Sequence, residues 1–215
     1  MTELFLDNHL LALDCPGGLL TQPSGTTEDS LECQGKSYLK EKFQKPGAVF
    51  LEAVHRIDRP VCGVVLFART SKALSRLNQS SRDHLITKIY HAWIEGSLPQ
   101  ADGRLEDWLI HDDFRARKVP AKTNGARACS LQYHTLQKKG NFTLLEVFLE
   151  TGRYHQIRCQ FAAIGHPIFG DQKYGSKRIY KVGCIALQHY RMIFPHPVSK
   201  KRITVTSTQE MNISI

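Results

Sequence analysis

The stretch from His55 to Thr70, HRIDRPVCGVVLFART, decides the fold of this chain. Its second half, Cys62 to Ala68, is apolar, short and partly β-branched, which favours a buried strand over a helix segment. Its first half places Asp58 between Arg56 and Arg59 at the entrance to that strand. A carboxylate flanked in this way can stay ionised while partly desolvated, because nearby positive charge offsets the cost of burial. Such an aspartate can act as a nucleophile, a base or a metal ligand. The same residues can equally form a surface ion-pair cluster with no chemistry, and the local pattern does not separate the two readings.

N-terminal to this stretch, LFLDNHLLALD (Leu4 to Asp14) alternates acidic and apolar residues and stops at Cys15-Pro16-Gly17-Gly18, the pattern of a short hairpin ending in a turn. From Thr21 to Gly47 the chain turns polar: Thr26 to Asp29 resembles a helix start, Leu31, Tyr38, Leu39 and Phe43 form a helical stripe, and Pro46-Gly47 ends it. This segment is the one candidate insertion, or a divider between two lobes of one sheet. C-terminal to the opening stretch, Ser71 reads as the N-cap of a helix with Ala73, Leu74 and Leu77 on one face and a break at Ser80-Ser81.

Further strands read at ITKIYHAWIEG, RACSLQYHTLQ and FTLLEVFLE, the last two joined by a turn at Lys138 to Asn141. His155 to Ile164 reads as a helix with Ile157, Phe161 and Ile164 on one face and Gly165 as its stop. CIALQHYRMIF and KRITVTS return to strands. No repeat, low-complexity tract or linker-like run interrupts the pattern, so a single α+β domain over residues 1–215, rich in antiparallel strands, is expected.

Composition narrows the partner. With 29 Lys and Arg against 20 Asp and Glu, the formal charge of the 215 residues is +9, which calls for something anionic. At 41% hydrophobic and 23% charged the composition is globular, and no apolar run approaches the roughly 20 residues of a membrane span. The opening MTELFLDNHLLALD carries acids and no basic leader, so a cytoplasmic location is expected. The six cysteines lie far apart with no CxxC pair, which favours free thiols over staples or a zinc site.

Two further runs can carry chemistry. TGRYHQIRCQFAAIGHPIFGDQKYG (Thr151 to Gly175) gathers Arg153, His155, Gln156 and Arg158 at a helix start, where unpaired backbone N–H groups and the helix dipole also favour phosphate or carboxylate. Arg158 falls near one turn from Tyr154 and His155 and can point to a shared cleft while Ile157 and Phe161 face the core; the alternative is an ordinary amphipathic helix with a basic outer face. Gly165, Gly170 and Gly175 mark a tightly turned loop after it, which Asp171 is expected to fix through backbone hydrogen bonds. In KIYHAWIEG (Lys88 to Gly96), period two puts Lys88, Tyr90 and Ala92 on one face; the Tyr90 ring can stack on a flat base or simply pack.

Taken together, HRID, KIYHAWIEG, GRYHQIR and GHPIFGDQKYG resemble, in order and separation, the motifs of the RluA-type RNA pseudouridine synthases. That family shows an HR-L-D run ahead of an apolar strand, a K-x-Y-x-A-x-V-x-G strand, and a G-R-x-H-Q-I-R helix start followed by G-H-P-I-x-G-D-x-x-Y-G. The late IALQHYRMIFPHP resembles its closing segment. The resemblance implies a mostly antiparallel bent sheet with flanking helices and a central RNA-binding cleft. It implies Asp58 as the catalytic aspartate, Arg158 as its ion-pair partner and Tyr90 stacked on the target base. Arg56 would fill the gap left by a flipped uridine, with Lys88, Arg153, His155, Gln156 and Leu187 as further RNA contacts.

The implied partner is RNA, ribosomal or transfer; no cofactor, metal, membrane or obligatory protein partner is implied, and a monomer is expected. Some departures stand out. Cys15-Pro16 replaces the family's Lys-Pro, Val61-Cys62-Gly63 replaces a small polar pair before glycine, and an N-terminal S4 domain is expected to be absent. Two alternatives are a non-catalytic RNA-binding relative and a metal-dependent hydrolase built on His111-Asp112-Asp113. The second is weakened because the residues around His111 read as strand and loop, not as the helices such a site needs.

Overall fold

Residues 2–25 and 29–213 are described by the computed structural model. The chain divides into two units, the first ending at Lys88 and resuming over His189–Glu210, the second formed by Ile89–Gln188 and the residues from Met211. The polar segment from Thr21 to Gly47 therefore divides nothing; its described residues all lie inside the first unit.

In the first unit β1 (Thr2–Leu6) and β2 (Leu10–Cys15) form the expected antiparallel hairpin. Asp7 shapes its turn by accepting the backbone N–H groups of His9 and Leu10 at 2.8 Å each. Of the helix start expected at Thr26 to Asp29, residues 26–28 lie outside the described residues. The cap is Ser30, whose hydroxyl accepts from Cys33 N–H at the head of α1 (Leu31–Lys42). The buried stripe of α1 is Leu31, Gly35 and Leu39, whereas Phe43 lies exposed beyond its end. At Gly35 a Cβ would come within 2.7 Å of Leu51, with Leu13 and Leu11 next, so the missing side chain lets the helix approach the sheet closely.

After β3 (Glu52–Ala53) comes β4 (Cys62–Ala68), the strand expected at those residues. It leads into α2 (Ser71–Arg82), where Thr70, not Ser71, is the cap: its hydroxyl accepts Ala73 N–H at 3.1 Å. The helix also runs through Ser80-Ser81, where Ser80 donates its hydroxyl back to the Arg76 carbonyl and so leaves no polar group competing for a turn.

The second unit opens with β5 (Thr87–Glu95), followed by the hairpin of β6 (Asp102–Asp112) and β7 (Arg115–Val119). The strand and loop expected around His111 belong to it, but periodicity does not give its full extent, since β6 carries acids on both its exposed and its covered side and buries Asp107. β8 (Arg127–Lys139) and β9 (Phe142–Leu149) pair with Lys139 opposite Phe142, so Gly140-Asn141 makes the turn. Then come α3 (Gln156–Ala163) and a short 3₁₀ turn at Gln172–Tyr174. The chain ends with β10 (Leu187–Pro195) and β11 (Arg202–Thr206).

Strands in the first unit lie in the order β1-β2-β4-β10, with β3 beside β4 and β11 beside β10. One face gathers Leu10, Ala12, Val64, Leu66, Met192 and Phe194 with Leu77 of α2. The other carries Leu11 and Leu13, which meet α1 at Gly35. Coverage on both faces is why β4 is a continuous apolar run and not an alternating one. The second unit orders its strands β5-β9-β8-β6-β7. There Phe161 of α3 packs edge-on against Tyr133, and Trp93, Phe142 and Phe169 form a second apolar cluster. The α+β class read from the sequence holds. No described helix is long and apolar enough to cross a membrane.

Candidate active site

Asp58 sits in the loop between β3 and β4 and is partly exposed. Its carbonyl accepts Val61 N–H at 2.9 Å, making a tight turn through Arg59 and Pro60. The segment after β2 straps this loop down: Gly18 N–H donates to the Arg59 carbonyl at 2.7 Å, and the Arg59 Nε–H returns a bond to the Gly18 carbonyl at 3.0 Å. Thr21 Oγ1 lies 3.3 Å from both the N and the O of the buried Ile57. The Pro16 to Gly18 turn is thus part of what holds the aspartate.

From the strand side His55 completes the clamp. Its Nε2 accepts the Leu66 N–H at 3.2 Å, while its buried Nδ1 has no hydrogen-bond partner among the described residues. Its ring meets that of His189 edge-on at 5.0 Å, and His189 Nδ1 donates to the Val64 carbonyl at 2.6 Å. Burial, each other's proximity and the ammonium of Lys88 keep His55 far below the ordinary histidine range; burial and Lys88 push His189 down to about 3. Two neutral imidazoles thus pin the HRID run to β4 and β10. Burial likewise lowers the Lys88 ammonium. Arg56 is exposed, and at Gly63 a Cβ would fall 2.3 Å from the His189 carbonyl oxygen, so only glycine fits there. The two departures flank this loop. Cys15 closes β2 with a buried thiol that desolvation pushes up to about 12, and Cys62 opens β4.

In the second unit the start of α3 is organised around Arg158 and Asp171. Both are almost fully buried. Arg158 donates from Nε to Asp171 Oδ2 at 2.6 Å and from Nη2 to Oδ1 at 2.9 Å, a two-pronged fork, and its guanidinium lies 5.1 Å from the Tyr174 ring centre. The sequence gives Asp171 a loop-fixing role. Its backbone does that, donating to the Ile168 carbonyl and accepting from Tyr174 and Ser176, while its carboxylate is the counter-ion of Arg158.

His155 precedes α3 in the left-handed region, at φ 51°. Its ring stacks on Tyr154 at 3.9 Å and shares a 2.9 Å hydrogen bond with the Tyr174 hydroxyl. Burial first, then the Arg158 charge, push it down to about 3, so it is a neutral ring. Gln156 is buried, accepting from Thr151 Oγ1 at 2.8 Å and Arg153 N–H at 3.0 Å and donating to the Ser130 carbonyl at 3.0 Å and Gln160 at 3.1 Å. Gln160 continues the chain to Asp107, which pairs with Lys118. Arg153 is exposed, with Nε–H on the Ala128 carbonyl. Ile164, expected on the core face, lies exposed past the end of α3.

Tyr90 and Leu187 are both buried, on β5 and β10. His111, Asp112 and Asp113 close the β6–β7 hairpin; Asp112 pairs with Arg117 and the His111 ring lies on Tyr154. Among the described residues no three His, Cys, Asp or Glu side chains gather as a metal site would need. The six cysteines form no disulfide.

Comparison with known proteins places these units. The profile of the RNA pseudouridylate synthase family matches residues 9–163. The ribosomal large subunit pseudouridine synthase D of Zymomonas mobilis is 29% identical over 93% of this chain and 66% of its own length. The ribosomal large subunit pseudouridine synthase C of Buchnera aphidicola is 29% identical over 97% of this chain and 67% of its own. The chain thus spans about two thirds of the length of the curated relatives it matches. The solved structure of human RNA pseudouridylate synthase domain containing 4 superposes with a TM-score of 0.80 over 97% of this chain and 88% of that one, at 19% identity, a likeness of fold. The sequence profile takes in the Asp58 loop, the Tyr90 strand and the helix start of Arg158 within one continuous match, and on that ground the chain belongs to the RNA pseudouridylate synthase family.

Proposed function

We propose that this chain isomerises uridine to pseudouridine in a structured RNA, with Asp58 as the group that starts the reaction. The observation that carries the proposal is the family match over residues 9–163, which includes all three runs at which a carboxylate, an aromatic ring and a buried arginine were expected. The isomerisation is balanced within one nucleotide: the bond from ribose C1′ to N1 breaks, the base turns, C1′ bonds to C5, the C5 proton leaves and N1 gains one. A uridine inside a helix must leave the stack first. Arg56, exposed on the Asp58 loop, suits the role of filling that gap, because a guanidinium can both stack and bind phosphate.

Tyr90 is proposed to lie against the target base. Arg153 and Lys88 are proposed to bind phosphate and Leu187 to pack against the nucleotide. Arg158, held by Asp171, supplies a fixed positive charge for the reacting carboxylate. His155 and Gln156 act in this reading by holding the start of α3, as their internal hydrogen bonds support. The relatives' names make ribosomal RNA the first substrate to test; a cytoplasmic enzyme working without a protein partner is proposed alongside it.

Tritium release from RNA carrying 5-tritiated uridine tests the activity, and carbodiimide mapping of total RNA from cells with and without the gene finds the site. Asp58→Asn is expected to abolish release with the unfolding midpoint unchanged. Release by that variant at the wild-type rate would overturn the assignment, and RNA binding with no release by the wild type would favour a non-catalytic relative.

A further inference from the structure

Within the second unit an open cavity of about 340 Å³ is lined by His111, Arg127, Arg153 and Tyr154, together with Gly125 and Gly152. Tyr154 is 43% exposed, a large share for an aromatic ring, yet it is not loose. It stacks on His155 with ring centres 3.9 Å apart and planes 17° apart, and His111 leans on it at 4.3 Å. A ring already immobilised offers contact area at little further entropic cost. Both arginines are exposed, and the Arg153 guanidinium is anchored through Nε–H to the Ala128 carbonyl at 3.0 Å, leaving its other N–H groups able to turn outward. Among the described residues no carboxylate lines the cavity. Flat rings beside two cations, with glycines that leave room, match one nucleotide better than an aliphatic ligand or an acidic peptide, because only a nucleotide brings both a π face and a phosphate.

We propose that this cavity holds one unpaired nucleobase of the bound RNA, other than the reacting uridine, packed on the Tyr154 and His111 rings with its phosphate between Arg127 and Arg153. This rests on the reading of RNA as the partner and adds a site that neither Asp58 nor Tyr90 uses. The test is anisotropy of a fluorescein-labelled unstructured RNA oligonucleotide, titrated with the whole chain at fixed salt. Tyr154→Leu, which keeps apolar bulk and loses the π face, is expected to weaken binding about tenfold or more, and Tyr154→Phe by no more than about threefold. Arg127→Gln is expected to weaken it and to flatten the dependence of log affinity on log salt by about 0.7.

Wild-type affinity in Tyr154→Leu would overturn the proposal, as would competition by polyglutamate as strong as that by unlabelled RNA. Should Tyr154→Leu fail to fold, Arg127→Gln decides, since an unchanged affinity and slope there would overturn it as well. Failure of the broader reading looks different. A wild type that binds the oligonucleotide through Tyr154 but releases no tritium sustains the cavity and removes the isomerase. Full tritium release with a Tyr154→Leu variant that binds normally does the reverse.

Discussion

At the scale of single residues the proposed chemistry rests on carboxylates and what faces them. The Asp58 run could be picked out in the sequence because acid, base and apolar strand are neighbours along the chain. Asp171 could not, because it meets Arg158 only after the loop of Gly165 to Gly170 has folded back, and a Gly-Asp pair in a loop has many ordinary uses. Their pairing has a measurable consequence. Arg158→Met leaves the Asp171 carboxylate buried without its guanidinium and is expected to cost about 3–5 kcal/mol in urea unfolding. Arg158→Lys keeps the charge but not the planar fork, so a smaller loss of about 1–2 kcal/mol is expected, together with lost tritium release. A Met variant as stable as wild type would show that the fork does not hold the α3 start.

Elements were legible where burial imposes a period and obscure where it does not. β4 is legible to its end residues because both faces are covered, and the β1–β2 hairpin because acidic and apolar residues alternate up to the Cys15 to Gly18 turn. Of the β6–β7 hairpin only the strand and loop around His111 are legible, because its side chains are mostly exposed and charged. Helix ends fall between these cases, since Thr70 and Ser71 are both good caps by composition and only the backbone decides. Thr70, extended at φ −146°, is the one whose hydroxyl reaches Ala73 N–H. Thr70→Ala should therefore lower stability by about 1 kcal/mol while Ser71→Ala leaves it nearly unchanged, both read from urea midpoints. Equal effects would place the cap one residue later.

For the whole molecule, the net charge of +9 and the buried histidines set the response to salt and pH. If RNA is the partner, log affinity should fall linearly with log salt, by about 0.7 per neutralised phosphate on a single strand, and a salt-independent affinity would speak against phosphate contacts. His155 and His189, both pushed from 6.5 to about 3, stay neutral in the fold but protonate in the unfolded chain. Between pH 6.5 and about 3 the unfolded state therefore binds more protons, and stability falls as pH falls through that window. The slope is at most about 1.4 kcal/mol per pH unit for each ring. Urea midpoints measured from pH 7.5 downward should show this slope reduced in His189→Asn, and an undiminished slope would remove burial as its cause.

The sequence by itself determined the α+β class, the strand behind Asp58, the positive charge and the family, because each depends on periodicity, composition or residues close together in the chain. Only the tertiary structure decided that Asp171 pairs with Arg158, that His55 and His189 clamp the HRID run, and that the Tyr154 ring is held by two imidazoles. Those are contacts across 13, 134 and 43 positions at their widest, made by chain folding and written in no local pattern.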